Sequence, residues 1–406
     1  MPRHFAPPSQ GGEPLRSKGW GLRERDSANH GKAPAQLRSP LPEGASVNAR
    51  RQRYKTIAGT FIATAFSVTL TGCSTLGYYA HLAAGEMAVL RAREPIPQLI
   101  DDPATPPALR ARLQLALRAR AFASDTLKLP RNKSYTTYAD VHREFVMWNV
   151  FATPALSLKP VEHCFLFAGC VAYQGFYHHD RAQALADKLS RQGDDVWIGG
   201  VPAYSTLGHF ADPLLSTMDR WSDDELVGTI FHELAHQEYY VENDTAFNES
   251  FATFVQREGL RQWHADNHLP PPDPATAERQ KQFTDLVLAT RKKLKAVYAN
   301  HQPDAEKLER KVQIFAGMRR KYAHMRDTEW HGFTGYDHWF DTPLNNAKLV
   351  PFGLYDRGVP AFAALFKRCD GDWTRFYAAV RRIGAEPAEQ RDAFLADGAN
   401  TANAGE

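Results

Sequence analysis

Apolar residues follow a helical period through the middle of the chain. Between residues 222 and 240 they recur three and four positions apart, which predicts one buried helix face: Leu226, Val227, Ile230, Phe231 and Leu234. Ser222 stands before this run and Glu225 follows three residues later, the sequence of a capping box. We therefore predict a buried helix that begins at Ser222 and runs through Tyr239 and Tyr240.

A second helix is predicted shortly afterwards. Residues 241–245 have the composition of a turn, and a helical pattern begins at Thr245 or Ala246. Its inner face is predicted to carry Phe247, Phe251, Phe254 and Val255. A tight helix–turn–helix of this kind folds the second helix back onto the first.

The other patterns predict further helices and a small sheet. Helical signals cover residues 76–92, 107–123 and 180–192, and two long charged helices are predicted over 275–326 as a hairpin with solvated faces. Strand signals cover 164–176 and 196–200, while 138–151 is mixed. We predict an α+β fold, predominantly helical, in which a small sheet packs beside the two central helices. One compact unit and two lobes around a cleft both fit the length.

The N-terminal part has the pattern of an exported lipoprotein. Residues 1–46 are rich in Pro, Gly, Ser and Arg and are predicted to be disordered. Residues 47–72 then give a basic segment, an apolar run from Thr56 to Val68 and Leu70-Thr71-Gly72 before Cys73. This order predicts a lipoprotein signal peptide that is cleaved before a lipidated Cys73. The alternatives are a short membrane anchor or a buried helix.

Several expectations follow from this signal. Because signal peptides occupy the very N-terminus, we expect translation to start at or near Val47. Residues 73–385 are expected to form the functional domain and 386–406 a flexible tail. Ser74, rather than Asp, follows the lipidated cysteine, which favours the outer membrane. We therefore expect a lipid-anchored, periplasm-facing protein of a Gram-negative cell envelope, bound to the membrane through its N-terminal lipid.

Charge and cysteine usage agree with an exported protein. The net charge of +3 over 406 residues gives no strong attraction to nucleic acid, and no nucleic-acid partner is expected. Cys164 and Cys170 have a spacing compatible with a short hairpin, and we predict a disulfide between them in an oxidising periplasm. Two buried free thiols are the alternative. Cys369 is expected to be a buried thiol.

The central pair of helices carries the chemistry of a metal site. His232-Glu233-Leu234-Ala235-His236 places two imidazoles one helical turn apart on the same side, where both reach one zinc ion. Glu233 lies between them and is the expected general base for a zinc-bound water. Glu249 completes a His2Glu set that leaves a fourth position open. Glu242 is the alternative third ligand.

The same residues resemble a known family. Phe231 to Gln237 and Thr245 to Thr253 are similar to the bacterial lipoprotein family described as "putative aminopeptidase". So are Gly199 to Gly208, Asn345-Asn346-Ala347, Tyr355 and Val359 to Phe362. The resemblance extends from Cys73 to about residue 385.

A more distant resemblance connects the site to the gluzincin aminopeptidases. It implies a zincin-like fold, with His232, His236 and Glu249 as zinc ligands, Glu233 as base and Tyr355 as donor to the oxyanion. The alternative for Tyr355 is a packed aromatic whose hydroxyl is satisfied elsewhere. The gap between His236 and Glu249 is shorter than in gluzincins, and no G-x-M-E-N-type segment is present.

The predicted function is a zinc-dependent peptidase acting on peptides or proteins in the envelope, and the resemblance implies that it is an aminopeptidase. An envelope endopeptidase and a non-catalytic zinc-binding lipoprotein are the alternatives. Further groups are expected near the site, each with an ordinary core, loop, turn or surface role as its alternative. They are His178, His179 and His209 as extra ligands by residue type alone, Tyr204 and Ser205 in a loop that lines the cleft, Asn345 and Asn346 for positioning a substrate backbone, and Gln237, Asn248 and Thr253 around the ligands.

Overall fold

The computed structural model describes residues 76–165, 169–206, 208, 210–353 and 358–403. The predicted signal peptide, Cys73, His209 and Tyr355 lie outside the described residues. The chain divides into two compact units, of which the larger contains Gly85–Glu406. The smaller unit, Leu15–Ala84, is described only from residue 76, where the first helix begins.

Helices make up most of the described chain, in agreement with the predicted α+β, predominantly helical class. The α-helices are α1 (76–91), α2 (Ile96–Asp101), α3 (Pro107–Asp125), α4 (His179–Arg191), α5 (Asp223–Glu238), α6 (Thr245–Asp266), α7 (Pro274–Tyr298), α8 (Asp304–His324), α9 (Asp337–Asp341), α10 (Val359–Arg368), α11 (Trp373–Gly384) and α12 (Ala388–Asn403). Short 3-10 turns cover Ser216–Met218 and Ala347–Gly353, and a π-turn, Met325–Glu329, follows α8. No helix within the described residues is long and apolar enough to cross a bilayer.

The strands form three small sheets. Their bounds are β1 (Arg93–Pro95), β2 (Thr137–Ala139), β3 (Met147–Pro154), β4 (His163–Phe165), β5 (Gly169–Val171), β6 (Tyr173–Phe176), β7 (Asp194–Val201) and β8 (Leu214–Leu215). The sheet orders are β1-β2-β8, β6-β3-β7 and β4-β5. Central β3 pairs antiparallel with both neighbours, and its buried Val150, Phe151 and Ala152 explain its position.

The predicted cysteine pair lies on a two-stranded hairpin. Cys164 in β4 and Cys170 in β5 are directly opposite in the antiparallel register, with Cα atoms 3.9 Å apart, and form a disulfide. Cys369 is a buried free thiol at the end of α10. The side chains of the disulfide are exposed, so the bond joins two strands at the surface.

Two aromatic cores hold the helices in place. Around α6, Phe251 and Phe254 pack on rings from α10 and α11, with Phe254 and Phe376 centroids 5.2 Å apart. Gly259 lets α6 approach its neighbours closely, because a Cβ there would lie 2.7 Å from Leu127 Cδ1 and 2.9 Å from Phe231 Cδ2. The α5–α6 pair is therefore a tightly packed unit at the centre of the fold.

The second core lies between the predicted helical hairpin, α7 and α8, and the segment around α9 that packs on it. The ring centroids of the stacked pair Phe283 and Tyr336 are 4.3 Å apart, and those of Tyr322 and Phe340 are 3.9 Å apart.

Hydrogen bonds from two asparagines connect this second core to the sheet that contains β3. Asn346 Nδ2 donates to the carbonyls of residues 155 and 157, both at 3.0 Å, and Asn345 Nδ2 donates to the carbonyl of residue 196 at 2.8 Å. Both asparagines thus bind backbone of the fold, in place of the substrate role nominated from sequence.

The C-terminal segment differs from the flexible tail expected over residues 386–406. Helix α12 packs on α10, where the ring centroids of Phe394 and Phe362 are 5.1 Å apart, and Leu395 is buried. Arg391 Nε also contacts Asp244 Oδ2 at 2.6 Å, and both side chains are largely buried. Small residues dominate this stretch, so its two apolar anchors give too weak a period to predict a helix.

His264 joins α6 to the first turn of α5. Its Nε2 lies 2.8 Å from Asp224 Oδ1, and its Nδ1 contacts the carbonyl of Pro270. A carbonyl and a carboxylate both accept hydrogen bonds, so the doubly protonated ring satisfies both contacts. Burial lowers the pKa of His264, but the bonds to Pro270 and Asp224 outweigh it and raise that pKa overall.

Candidate metal centre

Helix α5 begins at the predicted capping box. The Ser222 hydroxyl accepts from the Glu225 amide at 3.2 Å, and the Glu225 carboxylate accepts from the Ser222 amide at 2.7 Å. The helix ends at Glu238, earlier than the predicted extension through Tyr239 and Tyr240. Its middle part is buried on all sides, so the motif residues lie inside the protein.

The turn after α5 is closed by side chains that also begin α6. Asp244 caps α6 by accepting from the Phe247 amide at 3.0 Å. Asn248 bonds both backbone groups of Val241, each at 2.8 Å, and this fixes the turn against the first turn of α6. Glu249 follows directly and faces α5, whereas Glu242 is exposed on the turn.

His232, His236 and Glu249 come together as one group of candidate ligands. The two Nε2 atoms are 3.1 Å apart. Glu249 Oε2 lies 3.4 Å from His232 Nε2, and Oε1 lies 3.6 Å from His236 Nε2. All three residues are buried, with exposed fractions of 7%, 4% and 5%. Within the described residues, this is the group of His, Cys and acidic side chains positioned to hold one metal ion.

The spacing of these donors fits a zinc ion. Ligand atoms about 2.0–2.1 Å from a tetrahedral zinc lie about 3.3 Å from one another. The three observed separations of 3.1, 3.4 and 3.6 Å lie close to that value. In the described part of the chain, His236 Nδ1 and Glu249 Oε2 also lack a hydrogen bond although they are buried. The three donor atoms and their separations thus suit a divalent cation with one position left for a fourth ligand. A cation there would also give the buried Glu249 Oε2 a partner.

The electrostatics also favour cation binding. Burial lowers the pKa of His236 to about 4, so this imidazole is neutral and available as a ligand at neutral pH. Burial opposes charge at His232 too, but contact with Glu249 outweighs it and raises the His232 pKa. Burial acts to raise the pKa of Glu249, yet the two histidines lower it overall, so the carboxylate is ionised. An ionised carboxylate beside two imidazoles is an electrostatically suitable site for a cation.

Gln256 orients His232, a contact that the sequence analysis missed. Its Oε1 lies 3.1 Å from His232 Nδ1, so Nδ1 donates and Nε2 is directed towards His236 and Glu249. Gln256 is two turns beyond Glu249 on the same face of α6. This spacing in the sequence could have indicated that both side chains face α5. Gly228 gives Gln256 room, because a Cβ there would lie 3.1 Å from Gln256 Nε2.

Gln237, the residue after His236, connects α5 to two loops. Its Oε1 accepts from Asn132 Nδ2 at 2.7 Å, and its Nε2 donates to Asp212 Oδ2 at 3.3 Å. Asp212 also accepts from the Ser205 hydroxyl at 3.1 Å and from the Thr206 hydroxyl at 2.6 Å. Burial raises the Asp212 pKa, while the hydrogen bonds from Thr206 and Ser205 oppose this shift.

The remaining nominated residues occupy other places. Tyr204 donates to Glu86 and therefore belongs to a cluster with Tyr177, whose hydroxyl donates to Glu86 at 2.7 Å. His178 and His179 are exposed at the start of α4 and are not part of the ligand group. Thr253 is half-buried on α6. Glu233, the predicted base, is buried with 4% of its surface exposed, between the two histidines in α5.

Comparison with known proteins finds a family match over most of the chain. Residues 77–395 match the family described as "Putative aminopeptidase", a range that includes both ligand helices and most of the chain. No curated protein and no solved structure shows significant similarity to this sequence. Because the match covers most of the chain, the protein belongs to the "Putative aminopeptidase" family.

Proposed function

We propose that this protein is a zinc-dependent peptidase, and more specifically an aminopeptidase. The observation that carries the proposal is the triangle of His232, His236 and Glu249 donors, at separations close to those of zinc ligands, with Glu233 buried on the same helix. Structural zinc sites usually have four protein ligands and are rich in cysteine. A three-ligand His2Glu set therefore favours a catalytic role. The arrangement of α5, α6 and a small neighbouring sheet supports a zincin-like fold.

Each residue has a defined task in this proposal. A bound zinc ion would supply Lewis acidity, polarising the substrate carbonyl and acidifying the attacking water. His232, His236 and Glu249 hold the metal, and Gln256 keeps His232 turned towards it. Glu233 accepts the proton of the attacking water and returns it to the leaving amine. Tyr355, which lies outside the described residues, stays a proposed donor to the oxyanion.

The preference for amino termini rests on the family to which the chain belongs. An aminopeptidase must bind a free α-amino group, whereas an endopeptidase binds peptide on both sides of the scissile bond. Activity on free but not on N-acetylated peptides would support the aminopeptidase proposal. Equal activity on both would favour an endopeptidase.

We also propose that the protein acts in the cell envelope, anchored to the outer membrane by a lipid on Cys73. The signal-peptide pattern that ends in Leu70-Thr71-Gly72-Cys73 carries this proposal, and the Cys164–Cys170 disulfide is consistent with an oxidising compartment. Labelled palmitate should enter the wild-type chain in a Gram-negative host but not the Cys73→Ala variant. Equal labelling of both would exclude lipidation at this residue.

Metal analysis and activity together test the peptidase proposal. The full-length chain should contain one zinc per molecule and should hydrolyse peptides from a free-amino-terminus library. Glu249→Ala should lose the metal, while the matched variant Glu242→Ala, on the exposed turn, should keep it. Glu233→Gln should keep zinc but lose hydrolysis. Zinc retained in Glu249→Ala, or full activity in Glu233→Gln, would contradict the assigned roles.

A further inference from the structure

Tyr240 contacts the ring of a candidate metal ligand. Its ring centroid is 6.2 Å from that of His236, and the two planes are inclined at 71°, which is an edge-to-face contact. The His236 ring also contacts that of His232, with centroids 4.7 Å apart. The side chains of residues 232, 236 and 240 thus form a continuous series of ring contacts. This series starts inside α5 and continues past its last residue, Glu238.

The backbone after α5 turns two neighbouring tyrosines in different directions. Tyr239 follows the helix in an extended conformation, with φ −155° and ψ 137°, and successive side chains of extended backbone point to opposite sides. Tyr239 packs on α11, where its hydroxyl donates to the Arg381 carbonyl at 3.5 Å and a Cβ on Gly384 would lie 2.3 Å from its ring. Tyr240 therefore points away from α11, to His236.

The backbone on both sides of Tyr240 is held by hydrogen bonds. The Tyr239 amide still donates to the carbonyl of Ala235 at 3.1 Å. On the other side, Asn248 bonds the amide and the carbonyl of Val241, each at 2.8 Å. A side chain discriminates between substrates only if it keeps its place when they bind, and these two anchors hold Tyr240 in place.

Tyr240 is more accessible than the ligand that it contacts. His236 exposes only 4% of its surface, whereas Tyr240 is half-buried, so part of its ring is open to solvent. The acids on either side of it in the sequence have other surroundings, since Glu238 forms an ion pair with Arg381 and Glu242 is exposed on the turn. The surface that Tyr240 offers beside His236 is therefore aromatic and uncharged.

We propose that Tyr240 is a specificity-determining residue, which contacts the side chain of the substrate residue whose carbonyl is attacked and selects apolar side chains there. The inference rests on the proposed peptidase function and names the substrate class of that site. The β-carbon of this substrate residue is two bonds from the reacting carbonyl carbon, so its side chain must lie against groups that border the metal ligands. An aromatic ring favours burial of a leucine side chain but gives an acidic side chain no partner.

The test compares three variants of the full-length, zinc-loaded chain. Tyr240→Ala removes the ring, Tyr240→Phe keeps it, and Tyr239→Ala removes an equally half-buried tyrosine that packs on α11 instead. The ratio of kcat/KM for leucyl and alanyl dipeptide amides gives the preference during hydrolysis. Calorimetry gives the affinities for leucine hydroxamate and alanine hydroxamate, which chelate zinc and need no turnover. The zinc Kd and the Tm control for metal loss and unfolding.

The wild-type chain should prefer leucine to alanine in both assays. Tyr240→Ala should lower this preference about 10-fold, because one methylene in an apolar pocket is worth at least about that factor. Tyr240→Phe and Tyr239→Ala should keep the wild-type preference. An unchanged preference in Tyr240→Ala, or the same loss in Tyr239→Ala, would overturn the assignment. Equal weakening of both hydroxamates together with weaker zinc binding would also overturn it, because Tyr240 would then only position His236.

Failure of the proposed function is distinguishable from failure of this inference. If the wild-type chain binds zinc without hydrolysing any peptide, the peptidase proposal fails. The pair of hydroxamates then decides on Tyr240 by itself, and a leucine preference that is lost in Tyr240→Ala supports its role. Equal affinity of the wild-type chain for the two hydroxamates, or no binding of either, contradicts it.

Discussion

Replacing Gln256 should weaken zinc binding without touching a proposed ligand. Gln256 Oε1 accepts from His232 Nδ1 at 3.1 Å, and this contact selects the tautomer in which Nε2 is free to bind metal. In Gln256→Leu the ring loses its orienting partner, and Nδ1 is left unsatisfied in a buried position. Loss of such supporting contacts typically costs 10–100-fold in metal affinity. This factor corresponds to about 1.4–2.7 kcal/mol of zinc-binding free energy.

Two further variants make the experiment specific. Gln256→Glu keeps an acceptor at the same position and should bind zinc nearly as tightly as wild type. Gln262→Leu, on the same helix, loses hydrogen bonds with Glu258 and Trp373 but none to His232, and its zinc affinity should be unchanged. The zinc Kd is measured by chelator competition, with Tm as the control for folding. A wild-type Kd in Gln256→Leu would refute the orienting role.

Other predictions concern packing, the C-terminal helix and pH. Gly259→Ala should destabilise the protein by about 1–3 kcal/mol, because the added Cβ collides with buried side chains, and an unchanged Tm would contradict that packing argument. Arg391→Ala breaks a largely buried ion pair with the cap residue Asp244 and should cost about 3 kcal/mol in urea unfolding, whereas a freely mobile tail would show no effect. The pKa of His264 is raised in the folded protein, so its protonated ring stabilises the fold fully below about pH 6.5. This contribution to stability is lost as pH rises through the folded-state pKa. The Tm difference between wild type and His264→Gln should therefore shrink between pH 5 and pH 9, and a constant difference would show that the ion pair with Asp224 does not contribute.

Helix α5 could be predicted because its determinants are local. The cap at Ser222, the apolar period and the spacing of His232 and His236 all lie within one stretch of sequence, and each depends only on helix geometry. The position of Glu249 beside the two histidines could also be predicted, since a short turn brings the first turn of α6 back onto α5. Glu242 and Glu249 could be separated only in three dimensions, because that choice depends on how Asn248 closes the turn.

The residues that support the site could not be predicted, because they meet it through tertiary contacts. Gln256 reaches His232 only because α5 and α6 pack closely at Gly228 and Gly259. Asn132 and Asp212 reach Gln237 from loops that carry no motif of their own. The same limit explains why Asn345 and Asn346 were nominated for the cleft. The sequence does not show whether a polar side chain such as that of Asn346 bonds to a substrate or to the protein backbone.

The distribution of these supports implies that the site is formed by the fold rather than by the metal. Asp244 and Asn248 fix the start of the helix that carries Glu249, and Arg391 holds Asp244 from the far end of the chain. Gln256 fixes the ring of His232 by a separate contact. In small zinc domains, by contrast, metal binding supplies the folding free energy because few other contacts exist. Here the candidate ligands are held by hydrogen bonds between protein groups and by an aromatic core, none of which includes a metal atom. Zinc binding should therefore raise the Tm by mass action alone, in proportion to the logarithm of free zinc over Kd, with the helical content unchanged.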